Sequence, residues 1–383
     1  MNKRIPSAVV ASHVFDGAVV HRDAAIVIEG EQILALLPRG DLPRAIDAVV
    51  LPDGLWIAPG FIDLQVNGGG DVLFNDVPTP EGIAAIAAAH RKFGTTALLP
   101  TFITDTTEKM QAALGAVQTV RAQQPSVLGI HLEGPFLSPE RRGVHAGRYI
   151  RAPSAADVDM LTAARPGAML ITLAPERVSA GFIVQLVANG VRVSLGHSAA
   201  TYEQTRAAMA EGLTGFTHLF NAMPPLLSRD PGPIAAALES AAAWYGLIVD
   251  GVHVDPAVLR LALRGAGHPM LVTDAMPPVG GSQANFKLYG EDIRTLDGRC
   301  LRADGTLAGA VLDMASAVRN CVRMLDVPLE RALTFASVHP AGFLGLGASL
   351  GRIAAGFRAD LVAFDPDDIH VVRTWVAGRW LES

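Results

Sequence analysis

Three polar side chains stand where apolar runs stop. Ser126-Val-Leu-Gly-Ile leads into His131-Leu-Glu-Gly-Pro-Phe136, Val191-Arg-Val-Ser-Leu-Gly leads into His197, and Gly215-Phe-Thr leads into His218. The Gly134-Pro135 pair cannot continue a ladder, so Glu133 sits where a buried strand ends. A carboxylate there needs a partner, because an unpaired buried charge is very costly. One carboxylate and two imidazoles from the ends of separate strands can hold a divalent cation and leave a position for water. Asp274, in Val272-Thr-Asp-Ala-Met276, ends a fourth run of the same kind. Each residue also has a plainer reading. A strand-end histidine suits a hydrogen-bonded structural role, and Asp274 suits the N-cap of a following turn. Four such accidents on one rim explain the pattern less well than one metal site.

Bringing the ends of non-adjacent strands to one mouth demands a particular scaffold. From Trp56 onward, apolar strand-like runs alternate with Ala-rich helical segments such as Glu81–Phe93, Thr107–Arg121 and Thr201–Glu211. The strand candidates are Ile57–Val66, Thr96–Pro100, Val127–Leu132, Met169–Leu173, Val191–Leu195, Gly215–Thr217, Leu247–Val249 and Met270–Val272. Near-continuous apolar strands are what a parallel sheet buried on both faces requires. Eight strand–helix units over roughly 200 residues fit an α/β fold of the (β/α)8 TIM-barrel type, with an open doubly wound sheet as the structural alternative. In such a barrel reactive groups lie at the C-terminal strand ends. Glu133 then ends the third strand, His197 the fifth, His218 the sixth and Asp274 the eighth.

The two chain ends read differently. Ala8-Val-Val-Ala, Ala25-Ile-Val-Ile, Ile33-Leu-Ala-Leu-Leu and Ala48-Val-Val-Leu are short β-rich runs parted by Asp16-Gly17, Glu29-Gly30 and Asp53-Gly54. After a helical tail (Leu312–Leu325, then Pro328–Ser337), β rhythm returns between Gly351 and Asp365 and again over Val371–Val376. A piece this short cannot bury its own core. The economical solution is one small β-sandwich domain from residues 1–57 plus 349–383, beside a barrel over 58–348.

Composition narrows the classes. Half of the 383 residues are hydrophobic and the net charge is −6 with no basic run, which argues against a nucleic-acid surface. No run reaches the roughly 18 apolar residues of a membrane span. The first residues faintly resemble a secretory signal, but His13 and Asp16 interrupt the apolar stretch and a first strand reads better. Two cysteines, Cys300 and Cys321, offer neither a disulfide framework nor a CxxC pair, so a reducing cytoplasm is expected. Gly68-Gly69-Gly70 lacks the following Lys-Ser/Thr of a phosphate loop.

Longer stretches carry a resemblance. Gly60-Phe-Ile-Asp-Leu-Gln-Val-Asn-Gly68, His131-Leu-Glu-Gly-Pro135, Gly196-His-Ser198, Thr217-His-Leu-Phe-Asn-Ala-Met223, Asp250-Gly-Val-His253 and Gly305-Thr-Leu-Ala-Gly309 resemble signatures of the N-acetylglucosamine-6-phosphate deacetylases in the amidohydrolase superfamily. The closing stretch Gly351 to Asp365 is similar to that of many amidohydrolases. The resemblance implies hydrolysis of the N-acetyl amide of N-acetylglucosamine 6-phosphate, with one zinc-like divalent ion on Glu133, His197 and His218 and with Asp274 as proton shuttle. Many relatives carry His-x-His where this chain has Gln65-Val66-Asn67, so the resemblance implies that the second metal position at Gln65 and Asn67 is vacant. It implies a substrate contact for His145, phosphate contacts for Arg229 and His253, and sugar contacts for Val144, Asn221, Ala222, Leu307, Ala308 and Gly309. It further implies a homodimer with Arg229 or His253 near the subunit interface. Two other readings stand beside it: another amidohydrolase, such as a cyclic amidase or deaminase, and a non-catalytic barrel.

Overall fold

Short β-rich runs at the two chain ends pair into one sheet. The computed structural model describes residues 6–163 and 166–380. Its terminal sheet runs in the order Arg379–Trp380, His370–Val376, Leu361–Asp365, Trp56–Pro59, Ser7–Phe15, Val20–Glu29, Gln32–Pro38, with Asp47–Val50 also on Ser7–Phe15. The seam between chain ends is antiparallel, from Leu361 opposite Pro59 to Phe364 opposite Trp56. Val9, Ile26, Ile28, Ile57, Leu361 and Trp375 share its apolar core. A sheet-rich domain is thus built from both ends of the chain.

The contacts divide the chain into two compact units. One comprises the residues through Asp63, His90–Ala97 and Asp313 onward; the other comprises Leu64–Ala89 and Leu98–Leu312. Among the described residues no helix is long and apolar enough to cross a membrane.

Eight parallel strands form the second large sheet: β1 (Phe61–Val66), β2 (Thr95–Ile103), β3 (Gly129–Glu133), β4 (Ala168–Leu173), β5 (Arg192–Leu195), β6 (Gly215–Phe216), β7 (Trp244–Leu247) and β8 (His268–Leu271). They lie in chain order, and a parallel bridge between Val66 and Ala275 joins the first strand to the segment leaving the last. That is a TIM-like barrel. Every residue of β1, β2 and β3 is buried, as a sheet covered on both faces requires. Helices between the strands carry the caps that fix their starts. Thr106 Oγ1 accepts from Lys109 N, Asp255 accepts from Ala257 N, and Thr201 with Gln204 forms a capping box.

Most strand ends shift by one to three residues from the sequence reading, and three differences go further. The expected first strand Ile57–Val66 splits at Gly60: Trp56–Pro59 joins the terminal sheet and β1 begins at Phe61. A Cβ at Gly60 would stand 2.1 Å from the Thr96 side chain, so the chain can pass there only as glycine. The seventh strand is Trp244–Leu247, not Leu247–Val249. Its neighbour β6 is two residues long, and the ladder between them ends with Phe216 opposite Tyr245. The third difference is a four-stranded antiparallel sheet after β8, formed by Asn285–Leu288, Glu291–Leu296, Arg299–Leu301 and Leu307–Ala310. Its Leu288, Ile293, Cys300 and Ala308 pack on Leu73, Ile103 and Met276, which carries Leu307–Gly309 to the barrel mouth.

Candidate functional site

Glu133 is the last residue of β3; His197 and His218 lie two residues beyond β5 and β6, and Asp274 three beyond β8. The last three have left-handed backbones, with φ of 48°, 32° and 51°. Such conformations are strained for residues with a Cβ and gather where a site over-determines the chain. The turn at each strand end swings the side chain from the ladder into the mouth. There His197 Nε2 stands 3.1 Å and His218 Nε2 3.0 Å from Glu133 Oε1, and the two Nε2 atoms are 3.1 Å apart. All three residues are buried.

These distances fit a bound cation. Ligands about 2.0–2.1 Å from a tetrahedral ion lie roughly 3.3 Å from one another, close to the spacing here. His197 Nδ1 donates to the Arg141 carbonyl at 2.9 Å, which leaves the Nε2 lone pair facing the other two atoms. His218 Nδ1 is buried without a hydrogen-bond partner among the described residues. Burial pushes the Glu133 carboxyl up, but hydrogen bonds and charge from His197 and His218 more than offset it and hold the group well below its usual range. Two imidazoles and one ionised carboxylate compose a donor set suited to a divalent metal.

Asp274 faces this cluster. Its Oδ1 accepts from Asn67 Nδ2 at 2.7 Å and from Gln65 Nε2 at 3.1 Å, while Oδ2 has no hydrogen-bond partner among the described residues. Gln65 Nε2 also lies 3.3 Å from Glu133 Oε1. Gln65 therefore links the two carboxylates, while Asn67 holds Asp274 alone. Burial and the neighbouring Glu133 charge raise the Asp274 carboxyl above its ordinary value, against the pull of His218, His253 and the Asn67 amide.

A cavity of ≈ 380 Å³ opens above these groups. It is lined by Asn67, Glu133, His197, His218 and Asp274, by Val144, His145, Asn221, Ala222 and His253, and by Leu307, Ala308 and Gly309 from the inserted sheet. His145 turns Nδ1 to Thr104, and burial holds it well below the usual imidazole range. His253 Nδ1 stands 2.6 Å from Asp250 Oδ2, and Asp250 Oδ1 also accepts from the backbone of Val252 and His253. That clamp sits inside the Asp250-Gly-Val-His253 stretch, where the acid three residues before the histidine was a legible sign. The sequence reading missed Thr104, for which no motif spoke. One expected residue lies elsewhere: Arg229 is exposed on the loop after Met223, is not among the cavity residues, and has no ion-pair partner among the described residues.

Geometrically, the site can hold a divalent ion, keep a carboxylate oxygen of Asp274 near it and present the His145 imidazole, whose ring centroid lies 4.3 Å from that of His197. Known proteins resemble the chain as a whole. The amidohydrolase family model matches residues 56–381. A curated relative from Shewanella sp. (strain ANA-3), an N-acetylgalactosamine-6-phosphate deacetylase, is 46% identical over 86% of this chain and 84% of its own. An N-acetylglucosamine-6-phosphate deacetylase from Haemophilus influenzae is 36% identical over 95% of this chain and 96% of its own. Among solved structures, the N-acetylglucosamine-6-phosphate deacetylase from Pasteurella multocida superposes with a TM-score of 0.96 at 37% identity, covering 99% of this chain and 100% of that one.

Proposed function

The chain belongs to the amidohydrolase family, and we propose that it hydrolyses the N-acetyl amide of N-acetylglucosamine 6-phosphate to glucosamine 6-phosphate and acetate. The observation that carries this reading is the convergence of Glu133, His197 and His218, with Asp274 in the same mouth and its Oδ2 without a hydrogen-bond partner among the described residues. Those three residues would hold a divalent ion, which we take to be zinc, and bound there it would supply Lewis acidity and activate water near neutral pH. Asp274 takes the proton from the attacking water and delivers it to the amine, which becomes basic only as the C–N bond breaks. Gln65 and Asn67 hold Oδ1 during that exchange. As neutral amides they are poor ligands, which favours a single ion.

His145 meets the acyl oxygen, where a donor is worth most as charge develops. Val144, Asn221, Ala222 and Leu307, Ala308 and Gly309 surround the sugar. His253, fixed by Asp250, binds the 6-phosphate. A dianion needs more than one cation, yet no lysine or arginine lines the cavity among the described residues. Arg229 stands exposed between Leu227 and Asp230, with Leu226 and Leu227 about half exposed beside it. This supports a homodimer in which Arg229 of one subunit reaches the phosphate in the other. The two buried free cysteines support a reducing cytoplasm.

The test is acetate and free-amine release by the purified metal-loaded protein from N-acetylglucosamine 6-phosphate, from its galacto epimer and from the unphosphorylated sugar. We expect kcat/KM for the phosphorylated sugar to exceed that for the unphosphorylated one by about a hundredfold or more. Ammonia release, or turnover of a neutral cyclic amide instead, would establish the deaminase or cyclic-amidase reading. A second substrate reading, the galacto epimer, is favoured by the substrate named for the Shewanella relative. A higher kcat/KM for that epimer would select it.

A further inference from the structure

Thr104, the first residue beyond β2, meets three other segments of the chain through its own polar atoms. Its hydroxyl lies 2.9 Å from His145 Nδ1 and 3.1 Å from the Glu133 carbonyl oxygen. Its backbone N–H points at the same Nδ1 at 3.4 Å. Its own carbonyl accepts the Tyr289 hydroxyl from the inserted sheet. Thr104 is almost wholly buried at 1% exposure, so none of these partners is replaced by solvent. Close approach is built in: a Cβ on Gly134 would stand 2.1 Å from Thr104 Oγ1.

The backbone hydrogen is the deciding feature, because it cannot be moved. An N–H aimed at Nδ1 requires a lone pair there, and a neutral imidazole with a bare Nδ1 carries its proton on Nε2. The hydroxyl can rotate to donate to the same nitrogen, its alternative acceptor being the Glu133 carbonyl. Nε2 has no partner among the described residues, and His145 lines the cavity. We propose that Thr104 is a positioning residue that locks His145 as the Nε2–H tautomer, so that a neutral imidazole presents a proton donor to the acyl oxygen of the substrate. This rests on the deacetylase reading for its substrate but not for its tautomer. The opposite tautomer would turn a lone pair towards an oxygen gaining negative charge, and would repel it.

The experiment joins kinetics to spectroscopy on the metal-loaded protein. Thr104→Val keeps the shape and the backbone N–H but removes the hydroxyl. We expect kcat to fall about tenfold, the size of one weakened donor, with KM and metal content close to those of the unaltered protein. Thr104→Ser restores kcat. With 15N-labelled histidine, and His145→Gln to assign its signals, the unaltered protein shows His145 with a protonated Nε2 and an unprotonated Nδ1. A protonated Nδ1 overturns the proposal. So does a Thr104→Val enzyme with unaltered kcat, or one that raises KM alone. The nitrogen spectrum is read without turnover. A protein that releases no acetate from either sugar phosphate yet shows the Nε2–H ring would sink the deacetylase reading and leave the tautomer assignment standing.

Discussion

Asp274 is pulled two ways, and that makes it useful. Burial and the Glu133 charge push its proton affinity up, while amide donors from Gln65 and Asn67 occupy one oxygen and stabilise the ionised form. A carboxyl lifted towards neutrality can both accept and return a proton, which one far below neutrality does poorly. Asp274→Asn keeps the size and the possibility of a hydrogen bond to Asn67 but cannot take the proton. Turnover should fall by about 10²–10⁴-fold, with metal content unchanged. Measuring kcat and metal-to-protein ratio together checks this, and turnover close to the original would remove the shuttle role. At this scale the sequence was informative in kind but silent in conformation. Glu133, His197, His218 and Asp274 were legible because each ends an apolar run. Nothing in the letters His197, His218 or Asp274 announces a positive φ, since only glycine advertises that freedom.

Elements were legible where the apolar period was long and obscure where local turns set the structure. The eight barrel strands stand out as buried runs. The inserted sheet did not, although Tyr289-Gly290 and Asp297-Gly298 close two of its hairpins with both residues of each pair at positive φ, the conformation two-residue hairpins favour. Asp297-Gly298 was the readable signal. The helix Ala155–Ala163 was equally quiet, because an ion pair secures its entry. Arg151 donates to both oxygens of Asp157 at 2.7 and 2.6 Å, and Asp157 also accepts from the backbone and hydroxyl of Ser154. Burial alone would raise the Asp157 carboxyl, but these donors hold it below 3.8. A depressed folded-state value stabilises the fold above the unfolded value, and that stability is lost as pH falls through the folded one. Asp157→Asn should therefore lower stability by about 1–3 kcal/mol at pH 7, where the charge is fully present. The gap should narrow as the pH is taken below 3.8. Denaturant melts of both proteins across that range provide the check, and a gap independent of pH would exclude the charge as its source.

For the whole molecule the sequence and the folded chain agree on architecture, yet a single chain leaves the proposed phosphate site short of positive charge. His253 lines the cavity, while Arg229 is exposed on its loop and outside it. An arginine fork with no ion-pair partner among the described residues, beside two half-exposed leucines, is suited to reach across an interface. In a two-fold dimer each subunit would lend Arg229 and receive its partner's. Arg229→Ala should then raise KM for the phosphorylated sugar at least about tenfold while leaving kcat near its original value, since a phosphate contact remote from the amide acts mainly on binding. Where the arginine comes from can be decided by mixing. A subunit with Arg229→Ala keeps Asp274, and a subunit with Asp274→Asn keeps Arg229. In a mixed dimer the first subunit's site combines its own aspartate with the second subunit's arginine. Co-refolding or co-expressing the two variants should therefore restore, at low substrate, about a quarter of the original activity, because half the dimers are mixed and each has one complete site. An arginine acting within its own subunit gives no such recovery: every site in the mixture would still lack either the aspartate or the arginine.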